Sequence, residues 1–387
     1  MVCDLLSGLA SKGVESVLFC TDDEGELYES APAVAKACGH RKPGFFIIDW
    51  RVVANLVRFV GEHQVTLLHA HNHAPNLYCT IVSIVTGVPI VVTRHGRGYS
   101  TQRWVFLTRL LALRARTVVF VSGDAQRLAI VNHSVPAKKS IVISNGVNTR
   151  QFVPMVPEVD SPMSAVSRNL GGEMAISLDA VVIGSVGRLA PEKNYSLLVK
   201  AFARLVNVEN ANGDTCGLYS TDNHEPKTNN IATRAYLLLV GDGSARGTLE
   251  AELDRLNLRK YCHITGMVSD VRPWLGMMDV FCLSSDTEGL SISLLEACAC
   301  GLPSVVTDVG GNREVVVDEE TGILVPKGDE QALSIALERL VDNTTLRKQM
   351  GVKARERVED HYSLSTMIKE YAQIYQDAGA GCNDKGF

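Results

Sequence analysis

The sequence predicts an α/β protein of two domains, each a doubly wound parallel sheet wrapped by helices, facing each other across a cleft. Three observations carry this reading. The 387 residues exceed what one ordinary core holds. Short β-branched runs alternate with helix-length amphipathic segments, as strands and crossover helices do. That alternation lapses over 155–178 and then resumes.

Taken in order, Met1–Lys12 reads as a helix, and the strand candidates Ser16–Cys20, Val65–His69, Pro89–Thr93, Thr117–Ser122 and Ser140–Ile143 follow. Each ends near a Gly, His, Asn or Ser, where functional loops leave the carboxyl edge of a parallel sheet. This first domain is expected over 1–154. Residues 155–178 lose the periodicity and read as an extended linker. A second domain, 179–364, brings strand candidates Ala180–Val186, Ala235–Val240, Cys262–Thr265, Val280–Leu283 and Pro303–Thr307. The polar stretch 208–233 reads as a surface insertion. Three helical segments follow Gly328, and the last, about Ser365–Asp377 within a tail 365–387, is expected to return to the first domain.

The composition, 46% hydrophobic and 21% charged, is that of a soluble globular protein, and no apolar run is long enough to span a bilayer. The start carries Asp4 where a secretory signal carries basic residues, so the expected location is the cytoplasm. The ten cysteines are scattered without a C-x-x-C, which argues for reduced, mostly buried thiols rather than a zinc site or disulfide framework.

The net charge of −5 hides an asymmetry: residues 1–150 hold 16 Lys/Arg against 10 Asp/Glu, and the remainder 22 against 33. A basic front half favours an anionic partner or membrane surface; nucleic acid is not among the expected partners. Arg103–Arg116, which includes Trp104 and Phe106, is read as a helix that docks on the inner face of an anionic membrane, or alternatively as a sheet-packing helix with a solvated arginine face.

The strongest local signal is the run Ser284–Glu296, which follows a strand and opens a helix. Gly289 permits close backbone approach, and the free N–H groups of Leu290 and Ser291 with the helix dipole make a seat for phosphate. Glu288 precedes the helix and Glu296 lies within it, so the two would meet different parts of one ligand; the plainer reading is a capped helix with incidental glutamates. Val186–Asn194 places Arg188 and Lys193 after another strand, where two cations suit a departing diphosphate; the plainer reading is surface charge on a loop. Gly241 and Gly243 form a glycine turn through which a nucleotide could approach backbone, though an ordinary αβ turn explains two glycines as well. Asn145-Gly146-Val147-Asn148 closes the first half. Histidines 63, 69, 71, 73 and 95 lie at or near strand ends without an accompanying carboxylate cluster, so a metal site is not expected. His95 is the candidate for catalysis or binding, and a structural role suits the others.

Together these motifs resemble family four of the glycosyltransferases, the large group of retaining two-domain GT-B enzymes with Rossmann-like domains. The resemblance rests on Val186–Lys193, Val240–Gly243, the Glu288–Glu296 pair, Gly301-Leu302-Pro303, Asp308–Glu314 and Asn145–Asn148, in that family's order and spacing. It implies transfer of a sugar from a UDP- or GDP-sugar to a polysaccharide or lipid-linked acceptor, in making a bacterial surface polysaccharide or lipopolysaccharide. Arg188 and Lys193 would hold the donor diphosphate, and Glu296 the ribose hydroxyls. Glu288, with the backbone of Gly289, Leu290 and Ser291, would meet sugar and phosphates. The base would lie against Met267 and Val268, and His95 would sit across the cleft near the transferred sugar. Retention would proceed by a front-face route in which the leaving phosphate helps deprotonate the acceptor. There is no Asp-x-Asp, and a metal is not required where Arg188 and Lys193 offset the charge.

Members of that family open with a strand and a glycine-rich loop, which Met1–Lys12 does not supply. The expectation is therefore a chain lacking its first strand, with Ser16–Cys20 and Val65–His69 pairing directly or leaving ladder hydrogen bonds open. Two rivals stay open on sequence alone. One is a non-catalytic sugar-nucleotide-binding or scaffold protein, and the other is a nucleotide-sugar epimerase.

Overall fold

The computed structural model describes residues 1–25, 28–41, 48–96, 102–155, 180–206 and 235–379. The expected insertion 208–233 lies outside the described residues, as does the expected linker apart from Met155. Two compact units result: the first is 1–146 with 362–387, the second 147–361.

The first unit begins with α1 (Val2–Ala10), β1 (Val17–Cys20), β2 (Ala35–Cys38), α2 (Trp50–Glu62), β3 (Leu68–His71) and α3 (His73–Thr86). It continues with β4 (Ile90–Arg94), α4 (Gln102–Arg114), β5 (Thr117–Phe120), α5 (Gly123–Val131) and β6 (Ser140–Val142). Strands β3, β4, β5 and β6 pair side by side, all parallel. Strand β1 pairs in parallel with β2 in a separate two-stranded sheet, with Cys20 opposite Cys38. Direct pairing of β1 with β3 does not occur among the described residues. Strand β2 carries no local signal, because Ala-Lys-Ala-Cys lacks β-branched residues and each of its side chains is half-buried.

Strand β3 also starts three residues later than expected. Gln64 takes a positive φ and the Val65 amide donates back to Val60 O, so Val65 closes α2, and the ladder begins where Leu68 meets Ile90. Helix α2 owes its start to Asp49, whose side chain accepts from the Arg51 amide. Its inward face, Val52, Val53, Leu56 and Val60, joins Leu68, Ile90, Val118 and Phe120 in one core.

The second unit carries β7 (Val181–Val186), α6 (Tyr195–Val206), β8 (Ala235–Val240), α7 (Arg246–Arg255), β9 (Cys262–Ile264), α8 (Arg272–Leu275) and β10 (Val280–Leu283). There follow α9 (Ile292–Ala299), β11 (Ser304–Thr307), α10 (Asn312–Val315), β12 (Gly322–Val325), α11 (Glu330–Asp342) and α12 (Thr344–His361). The six strands form one parallel sheet in the order β12-β11-β10-β7-β8-β9. The chain leaves β7 toward β8 on one side and reaches β10 on the other, and such a reversal is where ligands of parallel sheets bind. The central β7, β8 and β10 are buried on both faces, which is why they are apolar along nearly their whole length, Ser185 of β7 excepted. The sequence reading missed β12, an edge strand that opens on a glycine.

Helix α13 (Leu364–Asp377) belongs to the first unit, where Met367, Tyr371 and Tyr375 share a core with Leu5, Leu9, Val91 and Val119. Its N-cap Ser363 accepts from the Thr366 amide at 3.2 Å. The eight described cysteines are free thiols, five of them buried. No helix among the described residues is long and apolar enough to cross a membrane.

Candidate functional site

The loops at the carboxyl ends of β7, β8 and β10 converge in the second unit, and glycine makes their approach feasible. Gly241 has φ +139°, and a Cβ built on it would sit 2.0 Å from Gly187 O. At Gly243, φ +158°, the Cβ would lie 2.4 Å from Leu189 O. The two loops are stitched by Gly187 N to Val240 O at 3.0 Å, Leu189 N to Asp242 O at 2.8 Å and Ala245 N to Leu189 O at 2.9 Å. Leu189 and Ala190 are buried beneath this seam, which leaves Arg188 between them and the strand end with its side chain 73% exposed.

The Arg188 guanidinium donates to Glu192 at 2.5 Å, within a surface ion pair of little stabilising value. Its partner in sequence, Lys193, is placed differently. A 3₁₀ turn over Pro191–Lys193 ends at Asn194 in the left-handed region, and Asn194 Oδ1 accepts from the Leu197 amide at the start of α6. This geometry turns Lys193 inward, so that its Nζ donates to Glu288 Oε1 at 2.6 Å. The Ser285 hydroxyl donates to the same oxygen at 2.6 Å. Only 20% of the Lys193 side chain and 9% of the Glu288 side chain are exposed. The neighbouring strand loops add Asp286 N to Glu192 O at 2.9 Å and Ser284 Oγ to Lys193 O at 3.1 Å.

Glu288 is thus fixed by a charge, a hydroxyl and its backbone. Gly310, at φ +55°, lets the β11–α10 loop approach so closely that a Cβ would lie 2.0 Å from Glu288 O. Gly311 N donates to Gly289 O at 2.9 Å. Leu290 is buried, and Ser291 caps α9 by accepting from the Leu294 amide at 3.4 Å. Glu296 lies half-buried in the second turn of α9, which Glu288 precedes.

Strand β9 ends in Thr265-Gly266, where Gly266 has φ +73° and bridges Gly241. Met267 is exposed and Val268 half-buried beside it. Sequence reasoning passed over Asp242, whose two oxygens accept from the Gly243 amide at 2.7 Å and from Arg246 at 2.9 Å. Those bonds, the amide first, hold its carboxyl below the usual range and fix the glycine turn. An Asp two residues after a strand end and four before an Arg is a signal the sequence did offer.

The candidates His95 and Asn145 belong to the first unit. Asn145 is buried, and the adjacent Gly146 leaves no room for a Cβ, which would meet Leu364 Cα at 2.8 Å. His95 ends β4 beside His71 of β3, with Nδ1 of His71 and Nε2 of His95 3.0 Å apart. Burial pushes the His95 imidazole down to about 4 and His69 to about 3, so both are neutral at physiological pH. His69 has the structural role expected of it, between Tyr375 and Thr93. No group of three His, Cys, Asp or Glu residues among those described could hold a metal ion.

Two family models match this chain, one described as glycosyltransferase family 4 over residues 1–151 and one as glycosyl transferases group 1 over 172–357. EpsD of Bacillus subtilis strain 168, described as a glycosyltransferase, is 30% identical over 334 residues, covering 84% of this chain and 80% of EpsD. The chain belongs to glycosyltransferase family 4. Among its relatives is the Escherichia coli UDP-Gal:alpha-D-GlcNAc-diphosphoundecaprenol alpha-1,3-galactosyltransferase, 24% identical over 86% of this chain and 80% of that protein. The crystal structure of Anabaena HepE in complex with UDP and glucose superposes with a TM-score of 0.78 at 19% identity, over 97% of this chain and 95% of that one. The fold of this family 4 glycosyltransferase is therefore GT-B, built from two Rossmann-like units.

Proposed function

We propose that this family 4 glycosyltransferase moves a sugar, with retention of anomeric configuration, from a UDP- or GDP-sugar to a glycan or lipid-linked acceptor of a bacterial cell surface. The observation that carries the reading is the half-buried Lys193–Glu288 pair beside an exposed Arg188, on loops that four glycines bring together at the reversal point of the sheet. The relative named for transfer from UDP-Gal to a diphosphoundecaprenol-linked sugar supports both donor and acceptor class.

In this reading Arg188 and Lys193 take the diphosphate. Negative charge grows on the leaving phosphate as the glycosidic bond breaks, and two cations already in place offset it without a bridging metal. Lys193 retains N–H groups beyond the one given to Glu288, so it can bridge carboxylate and phosphate. Glu296 holds the ribose hydroxyls, and the N–H groups at the start of α9 face the phosphates. Gly241, Gly243, Met267 and Val268 line the nucleoside and Glu288 meets the sugar; in the first unit His95 is the group assigned to a sugar hydroxyl.

The two glutamates should fail differently. Glu296→Ala is expected to weaken UDP binding by about tenfold, the worth of a charge-assisted hydrogen bond. Glu288→Gln keeps the shape and an acceptor for Lys193 and Ser285, so UDP affinity should hold while donor turnover falls on the order of 10²-fold. Calorimetry with UDP beside release of UDP from UDP-glucose and UDP-galactose, with and without lipid-linked acceptor, makes the test. A fully active Glu288→Gln enzyme removes the assignment. Interconversion of the donor sugars in the absence of acceptor would instead reveal an epimerase.

Peripheral attachment to an anionic membrane belongs to the same reading. On α4, Phe106, Leu110 and Leu113 recur at helical spacing and are exposed, with Arg109 and Arg116 exposed beside them. Arg114 serves otherwise, since its guanidinium donates to Ser83 O at 2.8 Å. The Trp104 side chain lies outside the described residues. Sedimentation with phosphatidylglycerol vesicles is expected to fall at least about tenfold in Arg109→Glu/Arg116→Glu, at about 1 kcal/mol per charge. Equal binding to neutral vesicles would sink this part of the proposal.

A further inference from the structure

We propose that His71 is a positioning residue for His95, holding its ring by an Nε2–H to Nδ1 hydrogen bond so that His95 presents a bare Nδ1 to a sugar hydroxyl at the carboxyl edge of the first unit's sheet. The inference rests on the reading of His95 as a group that touches a sugar hydroxyl. It adds a second histidine and a defined tautomer to that reading.

The arrangement starts from strand register. His71 is the parallel partner of Thr93, His69 precedes His71 by two residues, and His95 follows Thr93 by two. Side chains alternate along a strand, so His69, His71, Thr93 and His95 crowd one face at the ends of β3 and β4. The His71 and His95 rings lie 5.3 Å apart and nearly parallel, at 17°, with the nitrogens 3.0 Å apart. His69 stands 4.2 Å from His71, ring to ring.

The floor beneath the pair is built to keep it still. Tyr375 meets His69 Nδ1 at 2.5 Å, His69 Nε2 meets Thr93 Oγ1 at 2.8 Å, and Thr93 Oγ1 meets Tyr371 at 3.0 Å. Tyr371 is among the most deeply buried side chains of the chain. Helix α13 therefore locks His69, and His69 in turn backs the ring of His71.

Two neutral imidazoles share one proton in the bond between them, and burial lowers both rings well below the usual histidine range. If His95 Nε2–H donates to His71 Nδ1, each ring carries its proton on Nε2, which is the intrinsically favoured tautomer of a free imidazole. The reverse bond puts both protons on Nδ1 and both rings in the less favoured form. The first arrangement leaves His95 Nδ1 as an acceptor, and a second-layer bond of this kind is how an imidazole's tautomer and orientation are commonly set.

The test uses the full chain with 15N-labelled histidine, and UDP release from UDP-glucose, UDP-galactose, UDP-N-acetylglucosamine and GDP release from GDP-mannose as the activity probes. In the unaltered protein His95 should show a protonated Nε2 and an unprotonated Nδ1. His71→Leu should scramble that tautomer and lower kcat by about tenfold, below the roughly 10²-fold that a misplacement of about 1 Å can cost, while KM for the donor stays. His71→Asn returns a polar atom near the position of Nδ1 and should recover most of kcat. Melting temperatures within a few degrees keep misfolding apart from misplacement. An Nδ1-protonated His95 in the unaltered protein overturns the proposal, as does an unchanged kcat in His71→Leu when His95→Ala is inactive. Full activity in His95→Ala identifies the reading of His95 itself as the failed step.

Discussion

Arg188→Ala is expected to slow transfer by on the order of 10²–10³-fold at saturating donor, the loss found when a preorganised group facing developing charge is removed, with no change in melting temperature. The reason for the separation is exposure. The Arg188 side chain is 73% exposed, and the ion pair with Glu192 that it would give up is a surface contact. Lys193→Ala should lose turnover to a similar extent and also stability. It strands Glu288, whose side chain is only 9% exposed, without the cation bonded to it at 2.6 Å. Removing one partner of a buried pair costs roughly 3–5 kcal/mol, and partial exposure of Lys193 puts this pair at the lower end. Single-turnover transfer beside urea unfolding distinguishes the two variants. Unchanged rates in both would remove the diphosphate assignment, and equal stability in both would contradict the asymmetry of exposure.

Gly241→Ala is expected to be the most damaging single methyl in the second unit. Its φ of +139° costs a side chain about 1–3 kcal/mol of backbone strain, and the new Cβ would start 2.0 Å from Gly187 O, adding about 1–3 kcal/mol of overpacking. Relief requires the β7 and β8 loops to part, which moves Arg188 and Lys193 away from Glu288. UDP affinity should therefore fall along with stability. Gly247→Ala is the control: no atom lies within 4 Å of its Cβ, it sits in α7, and the change should be neutral or stabilising by about 0.5–1 kcal/mol. If the two variants unfold at the same urea concentration, the close approach of the loops is not what the glycine serves.

Some of this was legible before any coordinates. Val181–Val186, apart from Ser185, and Ala235–Val240 are legible as apolar runs, because a strand buried on both faces has little polar side to show. Gly241 and Gly243 were legible as a glycine turn, and only glycine tolerates both their dihedrals and their surroundings. The edge strands escaped for the opposite reason. Ala35–Cys38 and Gly322–Val325 take their identity from a neighbour's ladder rather than from their own side chains.

The candidate site divides along the same line. That Arg188, Lys193 and Glu288 leave strand ends ahead of helices is legible from residue order, because strand and helix periods are local properties of the chain. Three-dimensional packing alone turns Lys193 inward to Glu288, 95 residues away, while Arg188 faces solvent. It also decided that His71 meets His95 and that Tyr371 and Tyr375 lie beneath them, from a helix some 300 residues along. Such pairings depend on strand order, register and the direction a single turn gives a side chain. No local pattern encodes these, because they are settled by which buried surfaces fit together once the whole sheet has formed.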